Sequence, residues 1–311
     1  MAVTPALIKE LRELTGSGMS DCKKALDETG GDIQKAIEYL RENGLAAAAK
    51  KAGRIAAEGL VACVIRPDNS RAAMVEVNSE TDFVAINAEF KAYVAQVADQ
   101  ALESKSTDIE QFLEEKWNLD PSQTVKDVLV NKVATIGENL TIRRIERFTK
   151  DAPGVLASYV HGGGKIGVLV ELRCTADNPV LSELGKNLGM QIAAMSPQFK
   201  GNGDVCPDFI EKERAIIAAA VKGDEANAKK PENVIEKMIE GRVNKQLKEI
   251  CLLDQEYVKE PELTVRQYVE KISKEVGAEI TVKRFLRFEK GEGIEKVQED
   301  FAAEVSKVVN G

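Results

Sequence analysis

The run Thr81-Asp82-Phe83-Val84 sets a carboxylate and a phenyl ring side by side where the chain turns. A strand-like stretch, Ala73-Met-Val-Glu-Val77, leads into it through Asn78-Ser-Glu80, and a helix is expected from Ala88 onward. Loops held by a rigid scaffold carry function disproportionately. An acid beside an apolar wedge suits a tool for prying apart another protein's charged site. The same residues also fit a plain structural role, with Asp82 capping a helix and Phe83 filling the core. Four residues alone favour the structural role, and the rest of the chain shifts that balance.

The remaining reactive side chains give no active site. The single histidine, His161, lies in His161-Gly-Gly-Gly-Lys-Ile-Gly167, whose glycines suggest a phosphate loop. That loop needs Gly, four residues, then Gly-Lys-Ser/Thr. Here Tyr159 stands in place of the first Gly, and Ile166 follows Lys165. Alternating residues on both sides make the segment a hairpin tip, where glycines supply positive φ angles. Five cysteines (Cys22, Cys63, Cys174, Cys206, Cys251) are scattered without a Cys-x-x-Cys pair. They read as reduced thiols, not as a disulfide frame or a zinc site. No His, Cys and acid spacing fits zinc or iron. Acid pairs such as Glu114 and Glu115 read as solvated faces. No cofactor, metal or catalytic group of its own is expected.

Composition sets the class. The 311 residues are enough for two or three domains, and 43% apolar with 30% charged residues describes a globular chain. A net charge of -8 argues against a nucleic-acid partner, whose binding rests on neutralising phosphates. Without a signal peptide, transit peptide or transmembrane run, the expectation is a cytoplasmic protein with no membrane partner.

Three kinds of element must position these residues. Residues 1–43 read as a three-helix bundle. Leu7, Ile8, Leu11 and Leu14 share one face of its first helix, Asp32 caps the third, and Asn43-Gly44 ends it. Residues 44–58 read as an alanine-rich linker helix. The middle then repeats itself: Gly59 to Ile65 matches Gly154 to Val160, and Ala73 to Val77 matches Val168 to Leu172. Downstream, Gly137 to Arg144 matches Gly277 to Arg284. Each copy, 59–150 and 151–290, reads as a β-hairpin, two helices and a final strand, an α+β layer with a small antiparallel sheet. The second copy has gained residues around 207–253, with helical stripes at Ile210, Ile217, Val221 and at Ile235, Ile239, Val243, Leu247. This is a helical hairpin. It either folds on the core or serves as a dimerisation arm. Residues 291–311 read as a C-terminal helical module with Ile294, Val297, Phe301, Val305 and Val308 on one face.

Several motifs, in order along nearly the whole chain, resemble the bacterial elongation factor Ts family. They are Leu14 to Leu26, Glu76 to Val84, Lys165 to Val170, Ile192 to Pro197 and Arg287 to Val297. The resemblance implies a nucleotide-exchange factor for the GTPase elongation factor Tu. It also implies a UBA-like N-terminal bundle, two related α+β subdomains, a coiled-coil insertion and a C-terminal helical module. On it, Thr81, Asp82, Phe83 and Val84 would disturb the partner's magnesium site. Phe83 would wedge between two helices of the GTPase domain, and Asp82 would bear on the region holding Mg²⁺ and phosphate. Met19 and the last helix would touch that same domain, while His161 and Gly162 would meet another. Ile86 stands where many relatives carry a basic residue, and the segment from Thr107 to Pro121 is longer than in shorter members. A chaperone-like or ubiquitin-adapter module is the alternative, and an enzyme using scattered acids is a third that no motif supports.

Overall fold

Capping chemistry explains where the helices begin. The computed structural model describes residues 3–176, 178–227 and 230–295. Helix α1 (Pro5–Thr15) starts at Thr4, whose hydroxyl accepts the Leu7 amide, with Pro5 in the first turn where a missing N–H costs nothing. After α2 (Met19–Glu28), Asp32 caps α3 (Ile33–Lys51) by accepting the Lys35 amide. Leu11, Cys22, Ala25, Leu26 and Ala36 form the buried core of these helices. Leu14 does not join it; it is exposed at the last turn of α1.

The chain continues as β1 (Glu58–Ile65), β2 (Arg71–Ser79), α4 (Asp82–Ile86), α5 (Ala88–Glu103), α6 (Ile109–Glu114), β3 (Lys116–Trp117), β4 (Asp120–Thr124), α7 (Val125–Ile136) and β5 (Thr141–Thr149). A second series follows: β6 (Gly154–His161), β7 (Ile166–Arg173), α8 (Val180–Met195), α9 (Pro207–Gly223), α10 (Glu232–Ile250), β8 (Glu256–Tyr257), β9 (Glu260–Thr264), α11 (Val265–Val276) and β10 (Thr281–Glu289). The fold is α+β, mixed helices with small antiparallel sheets. One sheet has the order β1-β2-β5 and the other β6-β7-β10, so the second strand of each hairpin is central. Both central strands are buried nearly end to end, as strands covered on both faces must be.

The chain divides into two units, one from Met1–Ala62, Val75–Glu146 and Glu289–Gly311, the other from Cys63–Met74 and Arg147–Phe288. In the first, Phe90, Val94 and Val97 of α5 are buried, as are Val75 and Val77 of β2. The helix end expected at Asn43-Gly44 is absent. Gly44 is buried with the Ala134 and Val130 side chains of α7 beside it, and Arg41 pairs with Asp127. Packing on α7 carries α3 through to Lys51, so the linker helix expected over 44–58 is the end of α3 followed by a non-helical approach to β1.

In the second unit, α8 lies on β6 and β7, and Leu184, Leu188 and Ile192 close a core with Val168, Val170 and Leu172. Helices α9 and α10 have their own apolar cluster, in which Val221, Ile235, Ile239 and Val243 are buried. Each series also contains a two-stranded hairpin that the sequence pattern did not reveal, with Trp117 opposite Asp120 and Tyr257 opposite Glu260. The two-residue strands β3 and β8 show no alternation to read, and a proline sits in each five-residue partner. Thr124 and Thr264 then close capping boxes on the next helix, with Asp127 and Gln267 reaching back. The last helix expected beyond Ile294 lies outside the described residues.

Candidate functional site

The Thr81–Val84 junction folds as the start of α4, a single turn between β2 and α5. Thr81, not Asp82, is the cap: its hydroxyl accepts the Val84 amide at 3.4 Å. Asp82 is the first helical residue, exposed, with its charge on the favourable side of the helix dipole. Ala85 is the buried anchor of the turn. Phe83 does not fill the core; its ring is 78% exposed. Ile86, one turn on from Asp82, is 69% exposed. An exposed Phe and Ile three residues apart share one side of a helix. Val84 is half-buried. Asn87 ends the turn and caps α5 through the Glu89 amide.

The base of this turn is held by two reciprocal carboxylates. Glu138, in the loop after α7, accepts the Glu80 amide at 3.1 Å, the Thr81 amide at 3.0 Å and the Thr81 hydroxyl at 2.6 Å. In return, Glu80 accepts the Asn139 amide at 2.5 Å and lies 3.5 Å from the Arg54 guanidinium. Asn139 donates its side-chain amide to the Arg54 carbonyl at 2.7 Å, and Ser79 donates to the Thr81 carbonyl at 3.0 Å. Sequence reasoning missed Glu80 and Glu138. The readable signal was the mismatch of Glu138 with Ala278 in the otherwise matching Gly137 and Gly277 segments.

The other expected contact residues are exposed. Met19 opens α2 at 47% exposure, in the same unit as the turn. His161 and Gly162 belong to the second unit, where His161 pairs with Ile166 at the end of the β6–β7 ladder. Gly162, Gly163 and Gly164 all have positive φ. A strand follows instead of a helix, so the loop offers no helix N-terminus to a phosphate. Tyr159 Oη lies 3.0 Å from His161 Nδ1, which orients the ring at the tip.

Among the described residues no group of three or more His, Cys, Asp or Glu could hold a metal ion, and no helix is long and apolar enough to cross a membrane. Burial pushes the Cys63 thiol up to about 12 and raises Cys22 and Cys251 as well, the reverse of an activated thiolate. Glu115 is not the solvated acid its neighbours suggested. Ser104 and Ser106 donate to it at 2.8 and 2.5 Å, and these bonds outweigh its burial and hold its carboxyl below the usual range.

Comparison with known proteins gives a consistent answer. The family model described as Elongation factor TS matches residues 80–292. The chain is 50% identical over 306 residues to an elongation factor Ts of Clostridium perfringens strain SM101, covering 98% of this chain and 99% of that protein. It is 51% identical over 308 residues to that of Clostridium novyi, covering 99% of each. With that of Clostridium tetani it shares 52% over 305 residues, 98% of this chain and 99% of the relative.

Proposed function

This chain belongs to the elongation factor Ts family, and from that membership we propose that it is a guanine-nucleotide exchange factor for the GTPase elongation factor Tu in the cytoplasm. It promotes GDP release by dislodging Mg²⁺ from the partner and holds the nucleotide-free form until GTP binds. Thr81, Asp82, Phe83 and Val84 carry this step. The observation that carries the reading is the Phe83 ring, 78% exposed on a capped turn. A large apolar side chain left in water at a fixed position gains from entering a partner. Asp82 beside it brings negative charge toward phosphate and metal ligands. The chemistry belongs to the partner, and this chain supplies binding energy and shape.

Magnitudes limit what the ring can do. Burying one Phe is worth about 1.5–3 kcal/mol, which is about one to two decades of weakened nucleotide binding. Wider docking must therefore hold the strained partner, and Met19 on the first unit, with His161 and Gly162 on the second, fits that task. The same reading takes 1–43 as a UBA-like bundle, 59–150 and 151–290 as duplicated subdomains, and 291–311 as a C-terminal module. It takes 207–253 as a coiled-coil arm that either folds on the core or pairs with a second copy, Ile216 being 63% exposed on α9. Release of fluorescent GDP from elongation factor Tu tests the function. Adding this protein should speed release far beyond the spontaneous rate, and Phe83→Ala should remove about one to two decades of that gain. Release at the spontaneous rate with the wild-type chain would show the reading to be wrong.

A further inference from the structure

We propose that Glu138 is a positioning residue for exchange, locking the Thr81–Val84 turn so that Phe83 meets the partner in one fixed orientation. The inference deepens the exchange reading and rests on it. One carboxylate takes three donors at the root of the turn, the Glu80 and Thr81 amides and the Thr81 hydroxyl. Hydrogen bonds to an ionised acceptor are the strong kind. The third bond also sets the cap. A hydroxyl has one proton, and Thr81 spends it on Glu138, which leaves lone pairs for the Val84 amide. The orientation of α4 is thus fixed by a residue far away in sequence. The return bond from the Asn139 amide to Glu80 stops the two loops from sliding past each other.

The second copy of the repeat supplies an internal control. In the register that aligns Glu76 with Glu171, Thr175 and Ala176 stand in place of Glu80 and Thr81. In the register that aligns Gly137 with Gly277, Ala278 stands in place of Glu138, and it packs partly buried against the apolar core. There the Ser273 hydroxyl serves the loop instead, accepting the Ile280 amide at 3.1 Å. The α+β layer therefore closes without a glutamate at this position. The glutamate occurs in the copy that projects an exposed phenyl ring. A wedge benefits from this stiffness because a loosely hinged ring would lose on ordering what it gains on burial.

The test compares Glu138→Gln and Glu138→Ala with the wild type and Phe83→Ala, reading GDP release from elongation factor Tu against factor concentration. Loss of orientation should lower the maximal release rate about tenfold, the scale of one charge-assisted hydrogen bond. The half-saturating concentration should stay within about twofold, since the wider docking surface is untouched. Amide hydrogen exchange on the free protein should speed up at Phe83–Ala85 in both variants, a readout that needs no partner. Wild-type maximal rates for Glu138→Gln, with Phe83→Ala impaired, would overturn this inference alone. A Phe83→Ala protein as active as wild type would overturn the exchange role of the turn itself. Unchanged protection at Phe83–Ala85 would also contradict the lock.

Discussion

Glu76 on β2 has no side-chain exposure, yet four donors converge on it: Arg143 at 3.1 Å, Arg144 at 2.5 Å, Asn78 at 3.0 Å and the Gly291 amide at 2.7 Å. Burial alone would raise its carboxyl, but the Gly291, Asn78 and Arg144 contacts outweigh burial and hold it below the ordinary 4.5. A depressed folded value means that its stabilisation is fully present above 4.5 and is lost as pH falls through the lower folded value. Urea midpoints between about pH 6 and pH 3 should therefore fall for the wild type, and Glu76→Gln should start lower and fall less steeply. An acid slope unchanged in the variant would assign the effect to other carboxylates. The alignment of Glu76 with Glu171, and of Arg144 with Arg284, was legible in the sequence, but their pairing was not. In the second copy, Glu171 and Arg284 meet at 2.6 Å across sequence-distant strands. The exposure of Phe83 was equally hidden. A Phe after a capping residue reads the same whether the turn faces the core or water.

At the scale of elements, close approach of helix to sheet rests on two glycines. A Cβ on Gly189 of α8 would come within 2.7 Å of the Tyr159 Cβ, and one on Gly185 would overlap the Ala157 Cβ. Gly189→Ala should therefore destabilise by about 1–3 kcal/mol, because the helix must lift from β6. Gly203, with nothing near the same position, serves as the tolerant comparison. Equal denaturation midpoints for Gly189→Ala and Gly203→Ala would show that α8 shifts without cost. The hairpins and two helices of each copy were readable because apolar period and repeat agreed, the inserted helix pair from its apolar period alone. The short α4 and α6 of the first copy were not read. The β3–β4 and β8–β9 hairpins were not, since β3 and β8 are too short to alternate and Pro121 and Pro261 interrupt the strand signal of β4 and β9. The continuation of α3 past Gly44 was missed for another reason. Gly is a local helix breaker, and the contact that overrides it comes from α7.

For the whole molecule, the α+β class was visible from the repeat, whereas the grouping of Cys63–Met74 with the second unit was not. Within that unit Asn69 donates to the Leu156 carbonyl and accepts its amide, both at 2.8 Å. No local pattern announces such a pair. The proposed function also has a requirement at this scale. If the factor weakens GDP binding to elongation factor Tu, GDP must weaken binding of the factor by the same ratio. Exchange then completes itself, because either nucleotide expels the factor on rebinding. Everything depends on the aromatic ring moving from water into the partner. The structure of the complex with nucleotide-free elongation factor Tu measures that directly. The ring, 78% exposed in the free chain, should be fully covered by side chains of the GTPase, with Asp82 toward the vacated metal site. A ring still facing solvent, or folded back onto α5, would contradict the account.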